Sequence, residues 1–294
     1  MPEGKIIKAL SGFYYVQDEN GELIQCRGRG VFRKNKVTPL VGDNVLFQAE
    51  NNTDGYILEV MERKNELVRP PIANVDQAIL VFSAIKPDFS PLLLDRFLVL
   101  VESNDIEPII CISKTDLISE DGVQEIEEYA RNYRKIGYHV LLTSTKEKDG
   151  IDQLLPLLEK RISVFAGQSG VGKSSLLNSL RPDLELETNE ISMSLGRGKH
   201  TTRHVELIEI GNGLVADTPG FSSLEFLTIE AEELAYCFPE IYEAGANCKF
   251  RGCTHISEPK CAVRQSIEDG SIEQFRYNHY VSFYEEIKER KPRY

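Results

Sequence analysis

Residues 164–180, VFAGQSGVGKSSLLNSL, decide how the rest of the chain is interpreted. The apolar VFA run indicates the end of a buried strand, the later leucine pair suits a helix, and between them lies the pattern G-x-x-x-x-G-K-S. A strand, such a loop and a helix form a phosphate-binding loop, because glycines let backbone N–H groups surround phosphates at a helix N-terminus. Lys173 is predicted to reach the β- and γ-phosphates, and the Ser174 hydroxyl to hold Mg²⁺. The predicted contacts of this loop are Gly167, Gln168, Ser169, Gly170, Val171, Gly172, Lys173, Ser174 and Ser175.

The composition limits what the rest of the molecule can be. A chain of 294 residues suits two or three domains. It shows no basic-then-apolar leader and no run of about 18 apolar residues, so we expect a cytoplasmic protein. A net charge of -12 argues against a protein that coats nucleic acid with its whole surface, so any such contact must be local. The six cysteines are better explained as thiols or metal ligands than as disulfides.

Residues 1–68 contain short β-rich runs separated by turn residues, which predicts a small antiparallel barrel of about four or five strands, of the oligonucleotide-binding (OB) type. A basic stretch without acids follows Cys26. Basic groups around an aromatic ring suit a groove that follows an RNA backbone and stacks its bases, although a solvated basic loop has the same composition. The candidate RNA-binding residues are Arg27, Arg29, Phe32, Arg33, Lys34 and Lys36. Two prolines at positions 70 and 71 then predict an extended linker.

Past the linker, strand-like runs alternate with helical ones, which predicts a mostly parallel α/β sheet. The run 106–112 leads directly into the tetrapeptide SKTD, at the strand end where open sheets bind their ligands. The Asp116 carboxylate can accept from the N1–H and 2-amino groups of guanine, which adenine lacks, and the Lys114 stem can lie along the base. An ordinary strand-end turn has the same residues. A further helix is predicted over 151–161, leading to the phosphate loop.

Three further segments suit a nucleotide site. Thr143 and Ser144 follow the next predicted strand and could aim backbone N–H groups at the guanine carbonyl, a weak signal by itself. In the basic, glycine-containing segment 195–204, a threonine hydroxyl could complete the coordination of Mg²⁺ and sense the γ-phosphate. The alternative is that this segment is only an exposed basic loop. The last predicted strand runs into DTPG, a D-x-x-G pattern in which Asp217 holds Mg²⁺ from its second side and the Gly220 N–H meets the γ-phosphate.

The C-terminal third is helical in pattern and contains a cluster of metal-ligand residue types, C-x4-C-x-H-x5-C. Three thiolates and an imidazole complete a tetrahedral zinc shell without an open position, so we expect one structural Zn²⁺ and no catalytic metal there. Reduced core cysteines beside an unrelated histidine are the alternative. The predicted ligands are Cys248, Cys253, His255 and Cys261.

Together these motifs are guanine-nucleotide signatures in an unusual order. SKTD and TST precede GQSGVGKS, HTTR and DTPG, whereas a standard small GTPase begins with its phosphate loop. A circular permutation explains this order, because a chain can be cut elsewhere on its surface without moving the site. The permuted order, the basic barrel before it and the Cys/His cluster after it resemble the RsgA (YjeQ/YloQ) family of ribosome-small-subunit-dependent GTPases, over nearly the whole chain.

The resemblance implies a multidomain α/β protein: an OB-type β-barrel at 1–68, a circularly permuted P-loop GTPase with a mostly parallel sheet at 69–228, and a helical zinc-binding domain at 229–294. It implies hydrolysis of GTP to GDP and phosphate with Mg²⁺. It also implies a role in late maturation of the small ribosomal subunit, whose rRNA both flanking domains would contact and whose binding would stimulate hydrolysis. We expect a monomer that does not bind membranes.

The sequence departs from the usual GTPase pattern at two positions. Ser113 stands where the base motif has Asn or Thr, and Phe221 stands where Ras-like proteins place the glutamine that orients the attacking water. The RsgA family shares the apolar residue, so His200 is the candidate for positioning water, with contact to RNA or solvent as the alternative. Thr202 is preferred over Thr201 as the Mg²⁺ ligand of the basic segment. The predicted catalytic set is Lys173, Thr202 and His200, and the predicted Mg²⁺ ligands are Ser174, Thr202 and Asp217.

Two other functions fit parts of the sequence. A GTP-regulated RNA-binding module outside ribosome assembly would use its nucleotide site only to tune affinity. A P-loop kinase or nucleotidase would need a small-molecule acceptor site, for which the sequence offers no candidate residues.

Overall fold

The computed structural model describes residues 1–30, 32, 37–68, 70–184, 205–216 and 224–290. In chain order it contains a closed barrel, a six-stranded sheet and a group of short helices that includes the Cys/His cluster. The multidomain architecture predicted from the sequence is therefore confirmed. Each helix in the described part of the chain is too short or too polar to cross a membrane.

Five strands close the N-terminal barrel. They are β1 Glu3–Leu10, β2 Phe13–Asp18, β3 Leu23–Gly28, β4 Asn44–Ala49 and β5 Gly55–Val60. The order around the barrel is β1-β2-β3-β5-β4. Neighbouring strands are antiparallel except β3 and β5, which run parallel because β4 pairs with β1 instead of with β3. That pair is the departure from the expected antiparallel barrel. The interior is filled by apolar side chains that alternate along the strands, among them Ile6, Val16, Ile24, Val45 and Ile57.

At the expected linker, two short strands form a hairpin. They are β6 Glu66–Val68 and β7 Pro71–Ala73, which pair antiparallel. Ile72 is fully buried and forms a bridge with Val41 beside the barrel. Arg63, just before the hairpin, pairs with buried Asp43 at 2.7 Å. One apolar cluster consequently runs from the barrel through the hairpin into the central sheet.

The central sheet has six strands, and most of them are buried on both faces. They are β8 Gln77–Ser83, β9 Glu107–Ser113, β10 His139–Leu142, β11 Ile162–Ala166, β12 Leu207–Ile210 and β13 Gly213–Ala216. Their order is β10-β9-β8-β11-β13-β12, and within the sheet the β12–β13 pair is antiparallel while the others are parallel. All residues of β8 and β11 are buried, which explains their continuous apolar runs.

Helices connect these strands. They are α1 Pro91–Glu102, α2 Glu120–Ile136, α3 Leu154–Leu158 and α4 Lys173–Leu180. Ser90 caps α1 by accepting a hydrogen bond from the Leu93 N–H, and Pro91 occupies the first helical position, which needs no donor. The helix predicted over 151–161 is limited to α3. A helix that began at 151 would need the N–H that Pro156 lacks, and the chain leaves the helical conformation at Glu159 before Lys160, which has φ +57.

The C-terminal domain consists of short helices around their own core. Its elements are a 3₁₀ turn Leu234–Cys237 and helices α5 Pro239–Gly245, α6 Ala262–Glu268 and α7 Gln274–Glu289. Phe238, Ile241 and Phe283 are fully buried in this core. Val99 of α1 belongs to the same apolar cluster, so the domain packs directly against the central one.

A buried network of charges joins the two domains. Arg276 of α7 is 1% exposed and donates to Asp95 of α1, which is fully buried. The same guanidinium donates to Glu240 of α5 at 2.6 Å. Asp95 also accepts from the Tyr133 hydroxyl at 2.6 Å and pairs with His279 Nδ1 at 2.6 Å. Because every charged member has a partner, the network fixes α7 against α1.

Candidate functional site

Four parallel strands end at one edge of the central sheet. β8 ends at Ser83, β9 at Ser113, β10 at Leu142 and β11 at Ala166. In the register of the sheet, Ser83 lies beside Ser113, and β11 flanks β8 on its other side. The predicted base-recognition segments and the phosphate loop therefore meet at the edge where open α/β sheets bind ligands.

The phosphate loop runs from β11 to α4, and all three of its glycines have backbone angles that other residues avoid. Gly167 has φ +142, and a Cβ atom there would lie 2.0 Å from the Val81 carbonyl oxygen. Gly172, with φ +101, directly precedes α4. The loop can therefore pass close to β8 before it turns into the helix, whose N-terminus favours an anion.

Lys173, the first residue of α4, directs its ammonium back into the loop. Nζ donates to the carbonyl oxygens of Gly167 at 2.9 Å and Gln168 at 2.6 Å. Burial lowers the pKa of this amine from 10.5 to about 8. Both of these partners are neutral carbonyl oxygens, so a phosphate group would give the ammonium a partner of opposite charge. The amine is therefore placed to bind an anion. Ser174 follows it at 5% exposure, and its hydroxyl is an oxygen donor of the kind that Mg²⁺ takes.

The SKTD segment supports the phosphate loop from the end of β9. The Ser113 hydroxyl donates to the Val171 carbonyl, which lies in the middle of the loop. Lys114 Nζ donates to the Gly170 carbonyl at 2.6 Å and to the Lys86 carbonyl. The serine that replaces the usual Asn or Thr therefore still provides a hydrogen bond to the loop.

Asp116 lies beside the segment that follows β10. Its side chain is 5% exposed and accepts a 2.7 Å hydrogen bond from the Ser144 hydroxyl. Lys146 Nζ lies 3.9 Å from its second oxygen. The Thr115 N–H donates to the Thr143 carbonyl at 3.3 Å. The structure therefore brings the two predicted base-recognition segments together and fixes the orientation of the carboxylate.

The structure corrects one detail of that prediction. The N–H groups of Thr143 and Ser144, which we expected to face the guanine carbonyl, donate within the protein instead. Thr143 donates to the Ile112 carbonyl at 2.8 Å and Ser144 to the Asp149 carbonyl at 3.1 Å. Ser144 therefore contributes through its hydroxyl, because sheet and turn hydrogen bonds occupy the backbone donors.

The remaining predicted nucleotide residues lie outside the described part of the chain. They are His200, Thr201, Thr202, Asp217, Gly220 and Phe221. The last described residue before Asp217 is Ala216, which pairs with Val164 of the strand that leads to the phosphate loop. The roles of these residues stay predictions.

The four predicted zinc ligands come together in the C-terminal domain. Their ligand atoms all lie within 4.8 Å of one another. Cys261 Sγ is 3.8 Å from Cys248 Sγ and 3.4 Å from His255 Nδ1. Tetrahedral Zn²⁺ with Zn–S bonds of about 2.3 Å separates its ligand atoms by about 3.7 Å. The donor set and its spacing, which includes Cys253, therefore fit one zinc ion in a closed shell.

The barrel differs from the RNA-binding interpretation at one residue. Phe32 is 8% exposed and belongs to the apolar core, so its ring packs inside and does not face a groove. Arg27 and Arg29 are exposed. The other predicted RNA-binding residues, Arg33, Lys34 and Lys36, lie outside the described residues.

Two aromatic residues that sequence reasoning missed flank Arg27. Phe13 of β2 and Tyr56 of β5 lie beside it in register on the neighbouring strands. The Arg27 guanidinium is 5.0 Å from the centre of the Phe13 ring, and Tyr56 is 51% exposed. Such a row can stack single-stranded bases. The signal that could have identified Tyr56 is the alternation in β5, where it stands between buried Gly55 and Ile57.

Comparison with known proteins now identifies the family. Residues 60–227 match the model of the RsgA GTPase, and residues 3–57 match that of the RsgA N-terminal domain. The chain belongs to the RsgA family. Its GTPase is circularly permuted, because the phosphate loop follows β11 whereas the base-recognition segments follow β9 and β10.

Members of the RsgA family match this chain from end to end. A protein from Bacillus cytotoxicus named "Small ribosomal subunit biogenesis GTPase RsgA" is 70% identical over 294 residues, which covers 100% of both chains. The protein of that name from Bacillus subtilis is 66% identical over 298 residues, again with 100% of both chains covered. The crystal structure of YloQ, a circularly permuted GTPase, matches at 61% identity with a TM-score of 0.88, covering 100% of this chain and 97% of that one. YjeQ from Thermotoga maritima matches at 39% identity with a TM-score of 0.89, covering 99% of each.

Proposed function

We propose that this chain binds GTP at the carboxyl edge of its central sheet, hydrolyses it to GDP and phosphate, and acts in biogenesis of the small ribosomal subunit. The observation that carries the nucleotide part is the hydrogen bond of 2.7 Å between Ser144 and buried Asp116, beside a phosphate loop held by Ser113 and Lys114. The biogenesis part is supported by the Bacillus relatives, whose name gives that role.

Guanine selectivity follows from the chemistry of Asp116. Its carboxylate accepts from the N1–H and the 2-amino group of guanine, and adenine has no donor at either position. With adenine bound, the carboxylate would be covered by the base without receiving a hydrogen bond from it, which is costly for a side chain that is only 5% exposed. The Ser144 hydroxyl holds one carboxylate oxygen, so the pair of acceptors is oriented before the base arrives.

The phosphates are held by Lys173 and the loop. On binding, the ammonium exchanges the Gly167 and Gln168 carbonyls for oxygens of the β- and γ-phosphates and stabilises the negative charge that develops as their bond breaks. Ser174, Thr202 and Asp217 offer the hydroxyl and carboxylate oxygens that Mg²⁺ prefers. When bound, that ion would neutralise charge on the two phosphates.

The attacking water needs a group that accepts its proton or orients it. Phe221 stands at the usual glutamine position and offers only a phenyl ring. His200 is the proposed replacement, because a neutral imidazole accepts a hydrogen bond near neutral pH. We expect slow hydrolysis by the chain alone and faster hydrolysis when a partner contacts residues 195–204.

The proposed partner is the small subunit, contacted through its rRNA by the outer two of three domains, 1–68, 69–228 and 229–294. On the barrel, Arg27 and Arg29 supply positive charge, with Arg33, Lys34 and Lys36 as further candidates. Loss of the γ-phosphate would change the contacts of residues 195–204 and release the factor. We propose that the factor acts as a cytoplasmic monomer.

Steady-state GTP hydrolysis with and without purified small subunits tests this proposal. We expect slow turnover alone, stimulation of at least about tenfold by the subunits and negligible use of ATP. A Lys173→Ala variant, which loses the phosphate-binding cation, shows whether the activity belongs to this chain. Turnover that subunits leave unchanged would instead favour a GTP-regulated RNA-binding module.

A further inference from the structure

A surface of the C-terminal domain carries the opposite charge to the RNA-facing barrel. Residues 224–248 contain six glutamates and no lysine or arginine. On this surface Tyr236 is 64% exposed and Tyr242 is 54% exposed. The centres of their rings are 5.0 Å apart. These tyrosines, with the exposed residues Glu232, Glu233 and Glu243, are termed the acidic aromatic patch.

The exposed rings are not a result of an incomplete core. The neighbouring residues Phe238 and Ile241 are fully buried, so the domain has apolar side chains in its interior and still leaves two tyrosines outside. The rings contact each other at an interplanar angle of 47°, which restricts both. A restricted tyrosine pair offers a large contact area at a small entropic cost, as in many recognition surfaces.

The carboxylates stand close to the rings along the chain. Glu233 lies three residues before Tyr236 at the start of the 3₁₀ turn, where side chains three apart stand above one another. Its carboxylate accepts from the Glu230 N–H at 3.2 Å, which holds it at the surface. Glu243 follows Tyr242 directly on α5. Aromatic faces and negative charges are therefore presented together.

A groove extends the patch towards the central domain. It has a volume of about 280 Å³ and lies between α2 and the C-terminal helices. Glu243 lines both the groove and the patch, and Glu240 and Glu273 also line it. Lys135, at 3.9 Å from Glu273, offsets part of this charge, and Glu240 is paired with Arg276 at 2.6 Å, so Glu243 is the groove carboxylate on which the proposal depends. The groove has room for one long basic side chain beside Glu243, the residue that it shares with the patch.

We propose that the acidic aromatic patch binds an arginine-rich protein segment. A guanidinium stacks on tyrosine faces and donates to carboxylates, so one side chain uses both features of the patch. RNA phosphates would be repelled by the same carboxylates. The apolar part of the patch is limited to the two rings, on the order of 250 Å², with carboxylates around it, whereas the buried core of a homodimer interface is mostly apolar and depleted in charge. The occupant is therefore an extended segment and not a second copy of the chain. The proposal does not depend on GTP hydrolysis.

Binding of a fluorescein-labelled peptide of about ten alternating arginines and glycines to the full chain, followed by fluorescence polarisation, tests this. We expect saturable binding that Tyr236→Ala with Tyr242→Ala weakens at least about fivefold. Glu232→Gln, Glu233→Gln and Glu243→Gln together should weaken it similarly while leaving the rings in place. Absence of saturable binding to the natural chain would overturn the proposal.

Two matched controls and an RNA arm separate the alternatives. Tyr56→Ala removes an equally exposed tyrosine from the barrel, and Glu125→Gln with Glu128→Gln removes exposed charge from α2. Both should leave peptide affinity unchanged. An equal loss in the α2 variant would show non-specific attraction to an acidic protein and contradict the proposal. If the double tyrosine variant loses affinity for a labelled single-stranded RNA but keeps it for the peptide, the patch is an RNA surface and the proposal fails.

Discussion

The hydroxyl of Ser113 links the end of β9 to the Val171 carbonyl of the phosphate loop. Ser113→Ala should weaken GDP binding about two- to tenfold, because one hydrogen bond that positions the loop is worth about 0.5–1.5 kcal/mol. Isothermal titration calorimetry measures the change. Ser83→Ala is the matched control, since Ser83 lies beside Ser113 in the sheet but donates to the Pro87 carbonyl at 2.6 Å. Equal losses in both variants would mean that the serines support the fold and not the loop.

Lys173 should make nucleotide binding depend on pH. Its pKa of about 8 in the free protein means that the amine loses its proton as the pH rises through 8, and a bound phosphate returns it. At pH 8 the natural chain should therefore take up about half a proton more per GDP bound than the Lys173→Arg variant, whose side chain stays charged. At pH 7 the difference should be only about a tenth of a proton. Calorimetry in buffers of different ionisation enthalpy measures the uptake. Equal uptake by both proteins at pH 8 would contradict this role.

At the scale of elements, the contact between α1 and α7 depends on buried charge. Asp95→Ala would leave the guanidinium of Arg276, which is 1% exposed, without one carboxylate. We expect a loss of about 3–5 kcal/mol in the free energy of unfolding, measured by denaturant titration. Glu127→Ala removes a partner of Arg134 at 3.8 Å on the surface of α2 and should cost at most about 1 kcal/mol. A similar small cost for both variants would show that the network contributes little.

The Cys/His cluster should determine whether the C-terminal helices are stable. We expect about one zinc ion per purified chain by plasma mass spectrometry, because the ligand set and spacing suit a closed tetrahedral shell. The Cys261→Ser variant should bind no zinc, and its C-terminal domain should lose helical content. Treatment of the natural chain with a strong chelator should have the same two effects. Cys237→Ser alters a buried cysteine outside the cluster and should retain zinc. Full helicity in the metal-free Cys261→Ser variant would show that zinc is not structural.

Some elements could be predicted from the sequence and others could not, for physical reasons. The apolar run in β8 identifies a strand because all its residues are buried, so its pattern reflects one environment. The helix expected over 151–161 shortens to α3 because Pro156 lacks the N–H that an earlier start would need, and because the backbone at Glu159 and Lys160 is not helical. The parallel β3–β5 pairing and the burial of Phe32 depend on how the barrel closes, which no local pattern encodes.

At the scale of the whole molecule, the residues of the nucleotide site can be predicted from the sequence, but the hydrogen bonds between distant segments of the site cannot. Lys173 and Asp116 follow from motifs with fixed local spacing. The hydrogen bond from Ser113 to Val171 joins residues 58 apart in the chain and follows only from the order of strands in the sheet. The pair of Lys8 in the barrel and Glu206, at 2.8 Å, likewise depends on how the barrel docks. That pair connects the barrel to residues that directly follow the segment 195–204.

The molecule also separates its charges in a way that net charge conceals. A chain with a net charge of -12 carries exposed arginines at 27 and 29 on the barrel and an uninterrupted acidic stretch at 224–248. Under the two proposals, rRNA is contacted by the barrel and by parts of the C-terminal domain outside the acidic aromatic patch, and the patch itself binds a basic protein segment.

The central claim is that Asp116 selects guanine in a permuted GTPase site, and the affinities of the natural chain and Asp116→Asn for GTP and XTP test it most directly. Xanthine has a carbonyl where guanine has its 2-amino group, and the Asn amide can donate to that carbonyl. We predict that the natural chain prefers GTP over XTP by at least about 100-fold, since the xanthine carbonyl would face a carboxylate oxygen with no hydrogen between them, and that the variant prefers XTP. A variant that still prefers GTP as strongly as the natural chain would contradict the account.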